Sequence, residues 1–123
     1  MATAQKRILI AEDERPLSHA LELKLQREGF ITTVAQNGEE CLKLLNDEKN
    51  EFDIILLDLM MPVLDGFQVL EQLQKRPKKP VVFVLSNLSQ AEDEQRVLNL
   101  GAQKYFIKSD TPLGVIVDEV KKV

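Results

Sequence analysis

Five short apolar runs, each followed by a longer segment with helical spacing, constrain this chain more than any other feature. The runs are Arg7–Ala11 (RILIA), Ile31–Ala35 (ITTVA), Asp53–Leu57 (DIILL), Val81–Leu85 (VVFVL) and Lys104–Ile107 (KYFI). They are rich in Ile, Val and aromatics and bounded by polar or turn residues, the marks of strands. The first, third and fourth are almost continuously apolar, as strands covered on both faces must be. They begin near residues 7, 31, 53, 81 and 104, so a strand–helix unit recurs every 22 to 28 residues. That regularity predicts an α/β fold: a parallel sheet with helices on both faces, joined by right-handed crossovers.

The segments between the runs carry the helical faces. Pro16 suits a first helical turn, Leu17, Ala20, Leu21 and Leu25 recur at three and four, and Gly29 stops the helix. A second helix is expected over Glu39–Glu48, with Cys41, Leu44 and Leu45 on one face. A third covers Gly66–Gln74, with Phe67, Val69, Leu70 and Leu73 as its apolar residues. A fourth starts at Ser89, where Ser89 and Glu92 fit a capping box, and carries Val97, Leu98 and Leu100 to Gly101. A fifth runs from about Pro112 to Lys122, with Leu113, Ile116, Val117 and Val120 inward.

Composition narrows the function classes. At 123 residues and 44% hydrophobic content the chain suits one domain with its own core, residues 1–123 with an ordered part near 6–122. A net charge of -4 offers no basic stripe, so direct nucleic-acid binding is not expected. No apolar run approaches the roughly 18 residues of a spanning helix. The opening MATAQKR lacks the apolar middle of a signal peptide, and a cytoplasmic location is expected. Cys41 is the one cysteine and His19 the one histidine, which excludes an intrachain disulfide and a Cys/His zinc site. Cys41 is expected to pack within the second helix and His19 to lie on the surface of the first.

In an open parallel sheet, ligands bind beyond the carboxyl ends of the strands. Glu12 and Asp13 follow the first strand, Asp58 the third, Ser86 the fourth and Lys108 the fifth. Three carboxylates converging on one crevice must take up a proton or bind a cation. Oxygen ligands without His or Cys suit a hard ion such as Mg2+. A lysine and a hydroxyl on the other side suit an anion. Together these are the parts for moving a phosphoryl group: a nucleophile, and positive groups for the equatorial oxygens. A polar residue after one strand means little, but four strand ends agreeing is hard to obtain by chance. The G-x-x-x-x-G-K-[ST], G-x-G-x-x-G and G-x-S-x-G motifs are absent, and the acidic run after the first strand does not suit an FMN phosphate.

RILIAEDE, LLDLMMPVLDG, VLSN and YFIKS, in this order and spacing, strongly resemble the receiver domain of two-component response regulators. The resemblance covers about residues 6 to 122. It implies a flavodoxin-like doubly wound sheet of five parallel strands in order 2-1-3-4-5 with five helices. It implies that Asp58 accepts a phosphoryl group from a sensor histidine kinase or phosphotransfer protein. Asp13, Asp58 and the backbone carbonyl of Met60 match the Mg2+ ligands, and Glu12 matches the acidic position that holds the metal through water. Lys108 matches the lysine that pairs with phosphoryl oxygens. Ser86 matches the hydroxyl that binds them on activation, and Tyr105 the aromatic that swings inward with it. Pro62 and Gly66 match the loop and helix start after the acceptor, while Asp65 is expected to cap the third helix rather than touch the metal.

The resemblance further implies a signalling switch rather than an enzyme with an external substrate. It would catalyse only its own phosphorylation and dephosphorylation. The face of helix 4, strand 5 and helix 5 would be read by a downstream protein partner or an output domain, none of which lies within these residues. Mixed charge on the fourth helix permits a phosphorylation-dependent homodimer. Ser109 stands where the family usually has a proline after a cis bond; a cis bond before a non-proline costs about 2.5–4 kcal/mol, so a trans Lys108–Ser109 bond and an altered loop over Ser109–Thr111 are expected. Asn87 stands where a small residue is usual. Met60 and Leu88 are apolar where rapidly dephosphorylating members tend to be polar, which predicts a long-lived phosphoryl state. Two rivals remain at this stage. A pseudo-receiver would act without phosphorylation, against the intact Asp13, Asp58, Ser86 and Lys108. A small aspartyl-phosphate phosphatase would want a second Asp where Met60 stands.

Overall fold

The computed structural model describes residues 5–47, 49–88 and 90–123. Strands β1 (Arg7–Ala11), β2 (Ile31–Ala35), β3 (Ile54–Asp58), β4 (Val81–Ser86) and β5 (Lys104–Ile107) form one parallel sheet in the order β2-β1-β3-β4-β5. Between and after them run α1 (Arg15–Arg27), α2 (Gly38–Asn46), α3 (Gly66–Gln74), α4 (Ala91–Asn99) and α5 (Leu113–Lys121). This is the flavodoxin-like, doubly wound arrangement.

Strand periodicity divides the core into two layers. Ile8, Ile10, Ile54, Leu56, Phe83 and Leu85 face α1 and α5, meeting Leu21, Leu25, Ile116 and Val120. The alternate residues, including Leu9, Ile55, Leu57, Val82 and Val84, face α2, α3 and α4, meeting Cys41, Leu45, Leu70 and Val97. Continuous apolarity in β1, β3 and β4 thus reflects burial on both sides. The edge strand β2 tolerates Thr32 and Thr33 because its residues are mostly half-buried.

Element ends show why local signals succeed or fail. Asp65 caps α3 with a full capping box: its side chain accepts the Gln68 N–H, and the Gln68 side chain accepts the Asp65 N–H. Asn37 caps α2, accepting the Glu40 N–H at 2.8 Å, so α2 begins at Gly38 rather than Glu39 and ends at Asn46. Helix α4 begins at Ala91, with Gln90 at its N-cap and no side-chain cap bond, rather than at Ser89. The expected bond at Ser89 lies outside the described residues. Leu98, assigned to the apolar face of α4, is exposed, whereas Val97 is buried. Helix α5 starts at Leu113, with Pro112 as its N-cap.

Candidate functional site

Strand register builds the site. Ala11 pairs with Leu57, so the residues that follow, Glu12 and Asp58, lie level at the carboxyl edge. Asp58 pairs with Leu85, and Ser86 with Ile107, which brings the ends of β4 and β5 to the same edge. Asp58 and Ser86 are the last residues of β3 and β4 rather than the first residues beyond them. Membership of the strands fixes their backbones and buries both side chains.

The three carboxylates converge. Ligand oxygens of Glu12, Asp13 and Asp58 all lie within 4.8 Å of one another. Glu12 and Asp58 are only 1% and 2% exposed, while Asp13 opens to solvent. Lys108, 10% exposed, reaches across β4 from the end of β5. Its Nζ lies 2.6 Å from Glu12 Oε1 and 3.1 Å from Asp58 Oδ2. The other Asp58 oxygen, Oδ1, accepts the Met60 N–H at 3.1 Å. Glu12 Oε2 accepts the Glu14 N–H at 3.1 Å. Glu12 Oε1 touches Lys108 as an ion pair, but the approach falls outside hydrogen-bond geometry, so this buried oxygen has no directional donor.

The charges behave accordingly. Burial, with the Asp58 charge adding to it, pushes the Glu12 carboxyl up to about 7 against the opposing pull of Lys108. Burial also raises Asp58, held back by the Lys108 charge and the Met60 N–H. For Lys108, desolvation works downward, but the hydrogen bond to Glu12 and the nearby carboxylate charges outweigh it and the ammonium is held above its ordinary value. One cation facing three carboxylates leaves the pocket short of positive charge. An orphaned buried oxygen and a hard oxygen set fit a small divalent cation such as Mg2+. Glu12, Asp13 and Asp58 are the side chains able to hold it.

The anion-facing side is assembled less directly. The Ser86 hydroxyl is buried at the end of β4, where its oxygen accepts the Leu88 N–H at 3.0 Å. Among the described residues it makes no hydrogen bond to Asp58 or Lys108. Tyr105 is half-buried, and its hydroxyl donates to the Leu88 carbonyl. Burial raises the Tyr105 phenol, and the neighbouring Ser86 side chain opposes that rise. Leu88 therefore joins Ser86 and Tyr105 through its backbone, a link invisible in side-chain identity. Lys108–Asp110 form a short 3-10 turn, the Lys108–Ser109 bond is trans, and Thr111 closes the turn by donating to the Ile107 carbonyl at 2.8 Å.

Other expectations fall where the residue chemistry placed them. His19 lies on the surface. Cys41 is fully buried, and desolvation pushes its thiol up to about 12, as suits a packing residue. The Met60 side chain is exposed although its amide belongs to the site. Glu14 was not singled out as a site residue, yet it lies 3.8 Å from Lys108 Nζ. Its place in the acidic run after β1 was the available signal.

A crevice of this charge at the carboxyl edge of this sheet defines a signalling fold, and the sequence agrees. Over residues 8–117 the chain matches the response regulator receiver domain, and it belongs to that family, the receivers of two-component systems. It is 36% identical over 107 residues to the alkaline phosphatase synthesis transcriptional regulatory protein PhoP of Bacillus subtilis, covering 87% of this chain and 44% of that protein. It spans about two fifths of the length of the curated relatives it matches. The structure superposes on a Francisella response regulator receiver domain with TM-score 0.88 and 31% identity, covering 96% and 95% of the two chains. It also superposes on the response regulator TrrA from Thermotoga maritima, solved in complex with Mg(2+)-BeF, with TM-score 0.81 and 30% identity over 96% and 98%. Among the described residues, no helix is long and apolar enough to cross a membrane.

Proposed function

We propose that this chain is a phosphorylation-activated receiver unit in which Asp58 is the phosphoacceptor. The observation that carries this is the state of the Asp58 carboxylate: buried at the end of β3, with Oδ1 fixed by the Met60 N–H and Oδ2 facing Lys108. An Asp58 oxygen would attack the phosphorus of a phosphohistidine on a sensor kinase or phosphotransfer protein. The new O–P bond forms as the P–N bond breaks, the imidazole leaves with its electron pair, and an acyl phosphate results. Lys108 is in place to meet the transferred oxygens. Ser86 would join it once its hydroxyl turns from the Leu88 N–H, as a donor. Mg2+, held by Glu12, Asp13, Asp58 and the Met60 carbonyl, would supply charge neutralisation. The Mg(2+)-BeF complex of TrrA supports this assignment for a similar crevice.

The switch follows from differential contact. Phosphoryl oxygens on Asp58 can be bound by Ser86 and Lys108 together only if the β4–α4 and β5–α5 loops move toward them. The bond from Tyr105 to the Leu88 carbonyl ties β5 to the β4–α4 loop, so such movement would reach the α4–β5–α5 face. That face would signal to a protein partner or output domain in the cytoplasm, with a phosphorylation-dependent homodimer as one form of readout. The chain would act on its own carboxylate and on no external substrate.

Intact-mass spectrometry after incubation with Mg2+ and a small-molecule phosphodonor tests this. Wild type should gain one phosphoryl group and Asp58→Asn none. An adduct on both proteins, or on neither, would overturn the assignment, and the latter would favour an interaction module that works without phosphorylation.

A further inference from the structure

Gly38 opens α2, well removed in sequence from the acceptor, yet it sits directly against the loop that follows Asp58. A Cβ built on Gly38 would stand 2.0 Å from the Leu64 carbonyl oxygen, 2.7 Å from the Leu64 carbonyl carbon and 2.8 Å from the Leu64 Cβ. The closest clash is with backbone, so no rotamer change relieves it. Neither side is free to retreat. The first turn of α2 is fixed by the Asn37 cap, and the end of β2 is fixed by the Ala35 carbonyl, which accepts the Glu12 N–H at 3.0 Å. The loop is closed on its far side by the Gly66 N–H, which donates to the Leu59 carbonyl at 3.0 Å.

The loop turns sharply at the point of contact. The Leu64 N–H donates to the Pro62 carbonyl at 2.8 Å, and the residue between them, Val63, has φ +70°. This is a γ-turn of the positive-φ kind, which is rare and strained, and a β-branched side chain suits it poorly. Such a conformation persists only where its surroundings over-determine it. Among the described residues, no other non-glycine residue has positive φ.

We propose that Gly38 is a positioning residue for the phosphoryl site. By admitting α2 against the Leu64 carbonyl it clamps the Pro62–Leu64 turn, and through that turn it holds Met60, whose N–H fixes Asp58 Oδ1. This inference rests on the assignment of Asp58 and Met60 above. The same contact joins two sides of the crevice, because the β2–α2 connection that carries Gly38 also anchors the Glu12 backbone through Ala35.

The test is amide-exchange NMR of the Met60 N–H, together with Mg2+ titration, on wild type, G38A, G114A and the double variant G38A/V63G. Gly114, in α5, is the control, since a Cβ there would meet nothing within 4 Å. G38A should exchange the Met60 amide roughly tenfold faster and bind Mg2+ roughly tenfold more weakly, the scale of effect seen for groups that orient metal ligands. G114A should match wild type in both. Glycine at position 63 takes positive φ freely, so the double variant lets the turn re-form around the added methyl and should recover much of both losses. Wild-type exchange and affinity in G38A would overturn the proposal, as would a double variant no better than G38A. If G38A fails to fold, the double variant must fold, and its failure would also overturn it. If wild type itself takes up no Mg2+, the proposed function falls, while Met60 exchange still decides the role of Gly38.

Discussion

Lys108 is the residue on which the crevice balances. Its ammonium is the nearest cation to two nearly fully buried carboxylates, and neither could stay ionised there without it. Lys108→Met should therefore destabilise the metal-free protein by about 3 kcal/mol at pH 7.5. The loss should shrink at pH 5, where Glu12 and Asp58 can protonate, and urea unfolding at the two pH values measures it. Position Met60 makes a different prediction. Its side chain is exposed and apolar, and Leu88 uses its backbone to hold Ser86 and Tyr105, so neither side chain orients a hydrolytic water. The phosphoryl group on Asp58 should survive for minutes or more, and Met60→Asn should shorten that lifetime about tenfold by supplying a polar group. Decay of the phosphorylated mass peak reads both. Loss within seconds in wild type would refute the first statement.

At the scale of elements, caps and strand ends decide where functional residues stand. The capping box at Asp65 identifies this carboxylate as part of α3 rather than of the metal set. Asp65→Ala should lower stability by about 1 kcal/mol while leaving Mg2+ affinity within twofold, so unfolding and metal titration separate the two roles. A large loss of affinity would place Asp65 in the site after all. Strand ends were legible to within one residue. Apolar runs identified β3 and β4, but Asp58 and Ser86 read as the first residues outside them because polar side chains break the pattern. Hydrogen bonding across the sheet keeps both inside, which is why they are buried. Helix α4 was the least legible element. Its start carries no side-chain cap bond at Gln90, and it is braced instead by Arg96, stacked over the Phe67 ring at 4.1 Å and 3.6 Å from Glu71. Contacts between α3 and α4 leave no local signal in either segment.

Across the whole molecule, the crevice links stability, protons and metal. The folded-state value of Glu12, pushed up to about 7, lies above the ordinary 4.5. Between these values the folded protein holds a proton that the unfolded chain has released. Stability from this group is therefore full below pH 4.5 and is lost as pH rises through about 7. The metal-free protein should melt at a higher temperature near pH 5 than near pH 7.5. Mg2+ reverses the balance, since it requires ionised carboxylates and binds the folded state alone. It should raise the melting temperature at pH 7.5 more than at pH 5. Calorimetry across this range with and without Mg2+ checks both signs, and a melting temperature that climbs from pH 5 to 7.5 without metal would contradict the burial of Glu12.

The sequence alone determined the five strand–helix units, their parallel sense and the four strand ends that carry chemistry. These follow from periodicity and from the fact that parallel strands share one carboxyl edge. Strand order came with the family resemblance. Tertiary structure decided how the groups at that edge meet: Lys108 on Glu12 as well as Asp58, Glu14 drawn into its field, Ser86 and Tyr105 joined through the Leu88 backbone, and Gly38 against Leu64. Each of these is a contact between segments distant in the chain. Local pattern says which face a residue takes, but only the packing of whole elements sets the distance between two of them.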